Sequence, residues 1–138
     1  MKKKPVTKRR VRTWDDARAY TVPQGWHFEI PDVISANRQW RSGKGRTYKC
    51  KEALHDTAQA QHRFRHIVPL TGEVAVTIRW NRSRRAGDLD NKCKGVLDLL
   101  KRIAYADDAQ VVVIHMTRHD ETTTAAGIDV TVTQVALA

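Results

Sequence analysis

Hydrophobic residues alternate with polar ones in three segments of the chain. Apolar side chains occupy every second position over residues 26–30, 74–80 and 128–132, and this period is typical of a β-strand that buries one face. The first segment ends at Pro31, which cannot donate a hydrogen bond to a neighbouring strand. A nearly continuous apolar run over residues 111–116 predicts a fourth strand, in the centre of the sheet, because both of its faces would be buried.

Two other segments have the spacing of amphipathic helices. Residues 49–64 contain neither Gly nor Pro, and small or apolar side chains recur there at steps of three and four. Residues 89–104 show the same spacing more strongly, and Asp88 is well placed to cap the first turn. The order of strands and helices predicts an α+β fold, with a small mixed β-sheet and two helices packed on it.

Length and composition predict one folded domain with a basic extension. The 138 residues, 41% of them hydrophobic, are enough for one modest core. Residues 1–12 contain seven basic side chains and no acidic one, so we expect residues 1–20 to be a disordered arm and residues 21–138 to form the domain. The arm would either keep the protein in solution or contact phosphates.

The charge balance favours a nucleic-acid partner. Lys and Arg number 25 against 15 Asp and Glu, which gives a net charge of +10 and attracts polyanions. No apolar run approaches the roughly 20 residues that cross a bilayer, and no signal-peptide pattern follows the basic start. We therefore expect a cytoplasmic protein without a membrane segment.

Two basic segments are candidate phosphate contacts. Residues 37–51 carry six basic side chains, no acid, and the aromatic residues Trp40 and Tyr48, a combination suited to holding phosphates while stacking on an unpaired base. A plain surface loop is the alternative interpretation. A second basic turn follows at residues 81–85. The candidate DNA-binding residues are Arg38, Arg41, Lys44, Arg46, Arg82, Arg84 and Arg85.

Four carboxylates lie at the two ends of the helix predicted over residues 89–104. Asp88 and Asp90 are at its start, and Asp107 and Asp108 follow its end. If they converge, they suit Mg²⁺ or Mn²⁺, with Lys94 as an adjacent cation. A helix of about 15 residues is roughly 22 Å long, so the chain would have to bring Asp108 back. Alternatively, Asp88 is only a cap and Asp90 pairs with Lys94 on the surface.

The acidic segment resembles the signature of the RusA family of Holliday-junction resolvases. The similarity is carried by residues 84–91, which read RRAGDLDN, by Lys94, and by residues 107–112, which read DDAQVV. It covers about residues 27–135 in the order of elements, and it is specific only over residues 84–112. The arm lies outside it.

The resemblance implies a small homodimeric α+β endodeoxyribonuclease, often carried by prophages. Such an enzyme binds four-way DNA junctions by their structure and uses a divalent metal, Mg²⁺ or Mn²⁺, to make paired symmetric nicks. By the same resemblance Asp88, Asp90 and Asp108 are metal-binding and catalytic, and Lys94 is the catalytic lysine. Asn91 and Asp107 match with supporting roles. Gly87 departs from the pattern, because the family carries a basic residue there.

Two other functions remain open from the sequence. In the first, a DNA- or RNA-binding module without catalysis, the aspartates are caps and EDTA does not affect binding. In the second, a metal-dependent nuclease acts on another substrate, such as a flap or RNA.

Overall fold

The computed structural model describes residues 10–43 and 46–135, and it leaves the side chains of residues 37 and 39–49 undescribed. In chain order its elements are β1 (Arg18–Val22), β2 (Gly25–Ile30), α1 (Ala36–Gln39), β3 (Trp40–Gly43), β4 (Arg46–Lys49), α2 (Lys51–Arg63), β5 (Val74–Asn81), α3 (Leu89–Leu100), β6 (Val111–His119) and β7 (Gly127–Gln134). Short 3-10 helices lie at Trp14–Asp16 and Asp108–Gln110.

Five strands form one mixed sheet in the order β1-β2-β7-β5-β6, and β3 pairs with β4 in a separate hairpin. All pairs in the large sheet are antiparallel except β5 with β6, which run parallel. The predicted α+β fold is confirmed. Within the described ranges, no helix is both long and apolar enough to cross a membrane.

One face of the sheet is apolar because alternate residues of three adjacent strands are in register. Phe28, Val130 and Ile78 are neighbours across β2, β7 and β5, and none has exposed surface. Phe64, just after α2, and Leu100 of α3 belong to the same core, so both long helices cover this face. The opposite face carries the polar side chains of the same strands.

The predicted central strand is wrong, because β6 lies at the edge of the sheet. Its apolar residues Val112, Val113 and Ile114 are 48%, 51% and 48% exposed. α3 forms the crossover that the parallel pairing of β5 with β6 requires, and β7 pairs with the other side of β5. A continuous apolar run predicts a strand, but it does not distinguish a central strand from an edge strand with exposed apolar side chains.

The second predicted helix ends four residues earlier than expected, at Leu100. Lys101 takes an extended conformation and Arg102 a left-handed one, with φ of 70°. The turn is held by Tyr105, whose hydroxyl donates to the Leu97 carbonyl at 2.6 Å. Ile103 belongs to this turn and remains buried, which is why the apolar spacing continued past the helix end.

The proposed boundary after residue 20 falls within β1, whose residues pair with β2. Upstream of β1, the Arg12 guanidinium donates to Asp129 at 2.9 Å, so the chain belongs to the fold from about this point. Residues 1–9 lie outside the described residues, and the arm stays a prediction. The predicted basic loop contains α1 and the β3-β4 hairpin.

Gly95 is the point of closest approach between α3 and the segment after β2. A Cβ atom there would lie 2.9 Å from the Ile34 carbonyl oxygen and 3.2 Å from the Ala36 nitrogen. Helix propensity alone would make Gly95→Ala stabilising by about 1 kcal/mol. We expect the contact to dominate, so that the variant is destabilised by about 1–3 kcal/mol in urea unfolding.

Ala58→Ser, on the exposed side of α2, adds one heavy atom without such a contact and should change stability by less than about 0.5 kcal/mol. A stabilised Gly95→Ala variant would show that α3 can shift away from residues 34–36 at little cost.

Candidate active site

Asp88 and Asp90 lie exposed at the start of α3. Asp88 is the N-cap residue, and Asp90 is in the first turn. The Asp88 side chain accepts no hydrogen bond from the backbone of that turn, although its Oδ2 lies 3.4 Å from the donor Nδ2 of Asn91. The helix dipole favours negative charge at this end. The carboxylate of Asp88 is therefore not engaged in the cap that the sequence offered as an alternative.

Lys94 lies one turn after Asp90, and both side chains are exposed. Their spacing allows a surface ion pair. Within the described part of the chain, however, no ion pair joins them. Neither of the two simple structural roles, a cap and an ion pair, is formed by these acids.

Asp107 and Asp108 lie at the opposite end of α3, in the turn before β6. Asp107 caps the short 3-10 helix by accepting from the Ala109 amide at 3.2 Å. The Gln110 side chain accepts from the Asp107 amide at 3.0 Å, which closes a capping box. Asp108 is exposed, and its Oδ2 lies 3.9 Å from Nζ of Lys101, the residue that follows α3. Asp107 thus fixes the turn that presents Asp108.

The three predicted metal ligands do not converge within one chain. Because β5 and β6 are parallel, α3 runs in the reverse direction between them. Its start, with Asp88 and Asp90, is at the carboxyl ends of both strands, whereas Asp108 is at their amino ends. The 12 residues of α3 separate the two groups by about 18 Å. β6 does run back towards the start of α3, but Asp108 precedes this strand and stays at the other end of the sheet.

A different trio brings metal-ligand atoms together among the described residues. His27, Glu29 and Asp129 lie on the open face of the sheet, with one ligand atom from each within 4.8 Å of the others. Arginine side chains already bind both carboxylates: Arg18 pairs with Glu29, and Arg12 with Asp129 at 2.9 Å. The hydrogen bond from Arg18 lowers the pKa of Glu29 against the effect of burial. The trio is accounted for as a charge network.

Lys92 and Asp32 form a buried ion pair that the sequence prediction missed. Nζ of Lys92 lies 2.7 Å from Oδ1 of Asp32, and the two side chains are 9% and 7% exposed. Burial raises the pKa of Asp32, but the charge of Lys92 and hydrogen bonds from Lys92, Ser83 and Trp80 outweigh it and leave the pKa below its ordinary value. Lys92 is three residues after Leu89 and four before Val96, a spacing that places it on the inner side of α3.

A cavity of about 850 Å³ opens beside the start of α3. Arg38 and Arg84 line it, together with Lys51 and His55 of α2. Arg85 is exposed in the same loop as Arg84. The structure therefore brings two of the seven predicted DNA contacts to one opening, at the end of the sheet that carries Asp88.

The other predicted DNA contacts fall into two groups. Arg82 is held by Asp120 through two hydrogen bonds, of 2.8 and 2.7 Å, so its guanidinium braces the loop after β6. The side chains of Arg41 and Arg46 are not described, and Lys44 lies outside the described residues. These three stay predictions from the sequence.

A family model described as "Endodeoxyribonuclease RusA" matches residues 29–133, most of the chain. The chain belongs to the RusA family. Membership implies an endonuclease that resolves Holliday junctions, and the resemblance inferred from residues 84–112 is confirmed. No curated protein matches the sequence. Among solved structures, the periplasmic domain of Helicobacter pylori MotB is similar at 11% identity, covering 87% of this chain and 86% of that chain with a TM-score of 0.40. That similarity carries no argument about fold or function.

Gly87, where this RusA-family chain departs from the pattern, has a local structural reason. Its φ of 97° is in the left-handed region that favours glycine. A Cβ atom there would also lie 3.3 Å from the indole of Trp80. A basic residue at this position would be strained in the present loop, and Arg84 and Arg85 supply positive charge a few residues earlier.

Replacing Lys92 by Met should lower the free energy of unfolding near neutral pH by about 3–5 kcal/mol, because it leaves the Asp32 carboxylate buried without its cation. In the native protein the pKa of Asp32 is lowered, so the stabilisation from this pair is present at neutral pH and is lost as the pH falls through that pKa. In the variant, unpaired burial would raise the pKa of Asp32.

The destabilisation by Lys92→Met should therefore shrink as the pH falls and Asp32 takes up a proton. Urea unfolding curves near pH 7 and near pH 5 measure this trend. Lys51→Met, at an exposed position, provides the control and should leave stability nearly unchanged at both pH values. A destabilisation by Lys92→Met that grew with acidity would contradict the assignment.

Proposed function

We propose that this chain is a divalent-metal-dependent endodeoxyribonuclease that resolves four-way DNA junctions as a homodimer, by paired symmetric nicks. The match to the RusA family over residues 29–133 carries the proposal. The exposed carboxylates of Asp88 and Asp90, beside an arginine-rich loop, support it. The proposed place of action is the cytoplasm of a bacterial or phage-infected cell.

Asp88, Asp90 and Asp108 are the proposed metal-binding and catalytic carboxylates. Carboxylate oxygens are the donors that Mg²⁺ and Mn²⁺ prefer, and the exposure of all three residues leaves room for water and phosphate. A bound Mg²⁺ ion, or Mn²⁺ as the alternative, would lower the pKa of an attacking water and neutralise charge on the phosphate.

Three other residues of the chain have proposed roles around these carboxylates. Lys94, on the same side of α3 as Asp90, is proposed to stabilise negative charge on the reacting phosphate. Asn91 donates to Asp88 across 3.4 Å and orients it. Asp107 holds the turn that carries Asp108.

The free edge of β6 is the proposed dimer interface. Its outer side has no strand partner in the described chain, and Val112, Val113 and Ile114 are about half exposed there. A long apolar edge of this kind invites pairing with another strand. A second copy offers the same edge, and a two-fold axis makes such a contact self-complementary.

Antiparallel pairing of two β6 strands would also complete the metal site. With the two-fold axis near His115, the amino end of each β6 lies beside the carboxyl end of the other. Asp108 of the partner subunit would then come to the end of the sheet where the Arg82 amide donates to the His119 carbonyl at 2.9 Å. That end also carries Asp88 and Asp90. Each proposed site therefore takes two carboxylates from one chain and one from its partner.

The basic surface around this end is the proposed junction-binding surface. Arg84 and Arg85 precede Asp88 directly, and Arg38 lines the cavity shared with Arg84. Arg41, Lys44 and Arg46 are proposed to extend the contact, and Arg82 to support it through Asp120. Contacts to phosphate are not specific for sequence, which suits recognition of a junction by its shape.

Asp90→Asn should reduce Mg²⁺-dependent cleavage of a synthetic four-way junction by at least about 100-fold while junction affinity stays within about threefold, because the change removes a metal ligand and leaves the basic surface intact. Strand-labelled junctions measure cleavage, and binding is measured in Ca²⁺ or EDTA. Asp15→Asn, the same charge change at a site beside β1, provides the control.

Full cleavage by Asp90→Asn would refute the assignment of this ligand. Junction binding without any nicked product, for the unmodified chain in both Mg²⁺ and Mn²⁺, would instead support a non-catalytic binding module. Faster cleavage of a flap or an RNA than of the junction would support the other nuclease specificity.

Mixing two inactive variants tests the shared site. A dimer with Asp90→Asn in one chain and Asp108→Asn in the other contains one site with both changes and one site with neither. Co-refolded mixtures should therefore regain cleavage, because one of the two sites in each mixed dimer is intact. Mixed dimers make up about half of all dimers in a random equal mixture. Single-strand nicks should predominate over paired ones.

The matched control is a mixture of Asp88→Asn with Asp90→Asn, which damages both sites of every mixed dimer and should stay inactive. Ile114→Lys in both chains should abolish the rescue by placing charge on the pairing edge. Equal inactivity of both mixtures, with mixed dimers demonstrated by differential tagging, would show that the site does not combine Asp90 of one chain with Asp108 of another.

A further inference from the structure

We propose that Lys92 and Asp32 are positioning residues that set the rotation of α3, so that Asp90 and Lys94 face the substrate. This inference rests on the proposed function for its catalytic consequence, whereas its structural part is independent of it. Neither residue is among the proposed metal ligands, and neither is proposed to contact phosphate.

Asp32 joins three separate parts of the chain. Its Oδ1 accepts from Nζ of Lys92 at 2.7 Å and from the indole nitrogen of Trp80 at 3.0 Å. Its Oδ2 accepts from the Ser83 amide at 2.9 Å. One carboxylate thereby ties together the end of β5, the loop that carries the arginines, and the second turn of α3.

Lys92 is fixed by more than its ion pair. Nζ also donates to the Val33 carbonyl, and it lies 4.8 Å from the centre of a Trp80 ring, within the range of a cation–π contact. The Lys92 side chain is 9% exposed and lies in the wall of the cavity beside the start of α3. The ammonium group therefore has a carboxylate, a carbonyl and an aromatic ring as its protein partners.

Because the helix turns by a fixed angle per residue, the buried position of Lys92 sets the direction in which the other side chains of α3 point. At about 100° per residue, Asp90 and Lys94 lie about 40° apart, and Lys92 lies about 160° from each of them. Holding Lys92 inward therefore turns Asp90 and Lys94 outward. An apolar side chain at position 92 would also favour burial, but packing alone permits small rotations that a hydrogen-bonded ion pair does not.

The same carboxylate relates the basic loop to the acidic helix start. Ser83 is bonded to Asp32 directly ahead of Arg84 and Arg85, and Lys92 follows Asp88 by about one turn and Asp90 by about half a turn. The proposed phosphate-binding loop and the proposed metal-binding end of α3 are thus both bonded to Asp32. Displacements of about 1 Å in such groups are enough to slow a reaction about 100-fold.

The double variant Asp32→Asn/Lys92→Met separates positioning from stability. Asn at position 32 can still accept from the Ser83 amide, and neither new side chain is charged, so no unpaired buried charge remains. The tie to α3 is lost, and so is the hydrogen bond from the Trp80 indole, because Asn has one acceptor oxygen where Asp32 has two. A matched control, Arg12→Met/Asp129→Asn, removes the ion pair on the open face of the sheet, away from α3.

We expect the double variant to stay folded and to bind the junction within about threefold of the native affinity, while its cleavage rate falls about 10–100-fold and its half-saturating Mg²⁺ concentration rises. Amide hydrogen exchange over residues 88–94 should accelerate in the double variant and not in the control. Native rate, metal dependence and exchange in the double variant would overturn the proposal.

The exchange measurement keeps the two proposals distinguishable. If the unmodified protein cleaves no branched DNA with Mg²⁺ or Mn²⁺, the proposed function fails, and exchange over residues 88–94 still decides whether the pair positions α3. If the unmodified protein is active and residues 88–94 keep their native protection in the double variant, the positioning role is refuted and the proposed function stands.

Discussion

Parallel pairing of β5 with β6 is the constraint on which the arrangement of this protein depends. Two adjacent parallel strands need a crossover, and α3 supplies it on the apolar face of the sheet. The crossover places the residues before α3 at one end of the sheet and those after it at the other. Acids that are close in sequence are thereby separated in space. β6 is at the edge of the sheet, and its apolar side chains Val112, Val113 and Ile114 are exposed.

These two features, a divided acidic motif and an open apolar edge, would have a common resolution in the proposed symmetric dimer. In an isolated chain, carboxylates at opposite ends of a helix about 18 Å long cannot share an ion, and a free apolar strand edge promotes association. The proposed two-fold pairing through β6 would address both at once. The proposed need for two chains therefore follows from the position of the ligands as well as from the need for two cuts.

The buried ion pair of Asp32 and Lys92 lies between the two halves of the proposed functional surface, the arginine-rich loop and the start of α3. Elsewhere the core consists of the apolar side chains of β2, β5 and β7 with those of α2 and α3. At the end of the sheet next to the basic loop, Asp32 and Lys92 add a buried ion pair to the core. An isolated buried pair is weak evidence for stability, and its connection to three chain segments is better explained by a requirement for geometry.

The sequence by itself determined the strands at residues 26–30, 74–80 and 128–132, the two long helices and the family, because periodicity and the residues of the acidic motif are local properties. It did not determine that β6 is an edge strand, since an apolar run reports hydrophobicity and not the identity of the neighbour. Nor did it reveal the partner of Lys92, because Asp32 is 60 residues away. The separation of Asp108 from Asp88 and Asp90 was decided by tertiary structure alone, because it depends on the direction in which β6 pairs with β5.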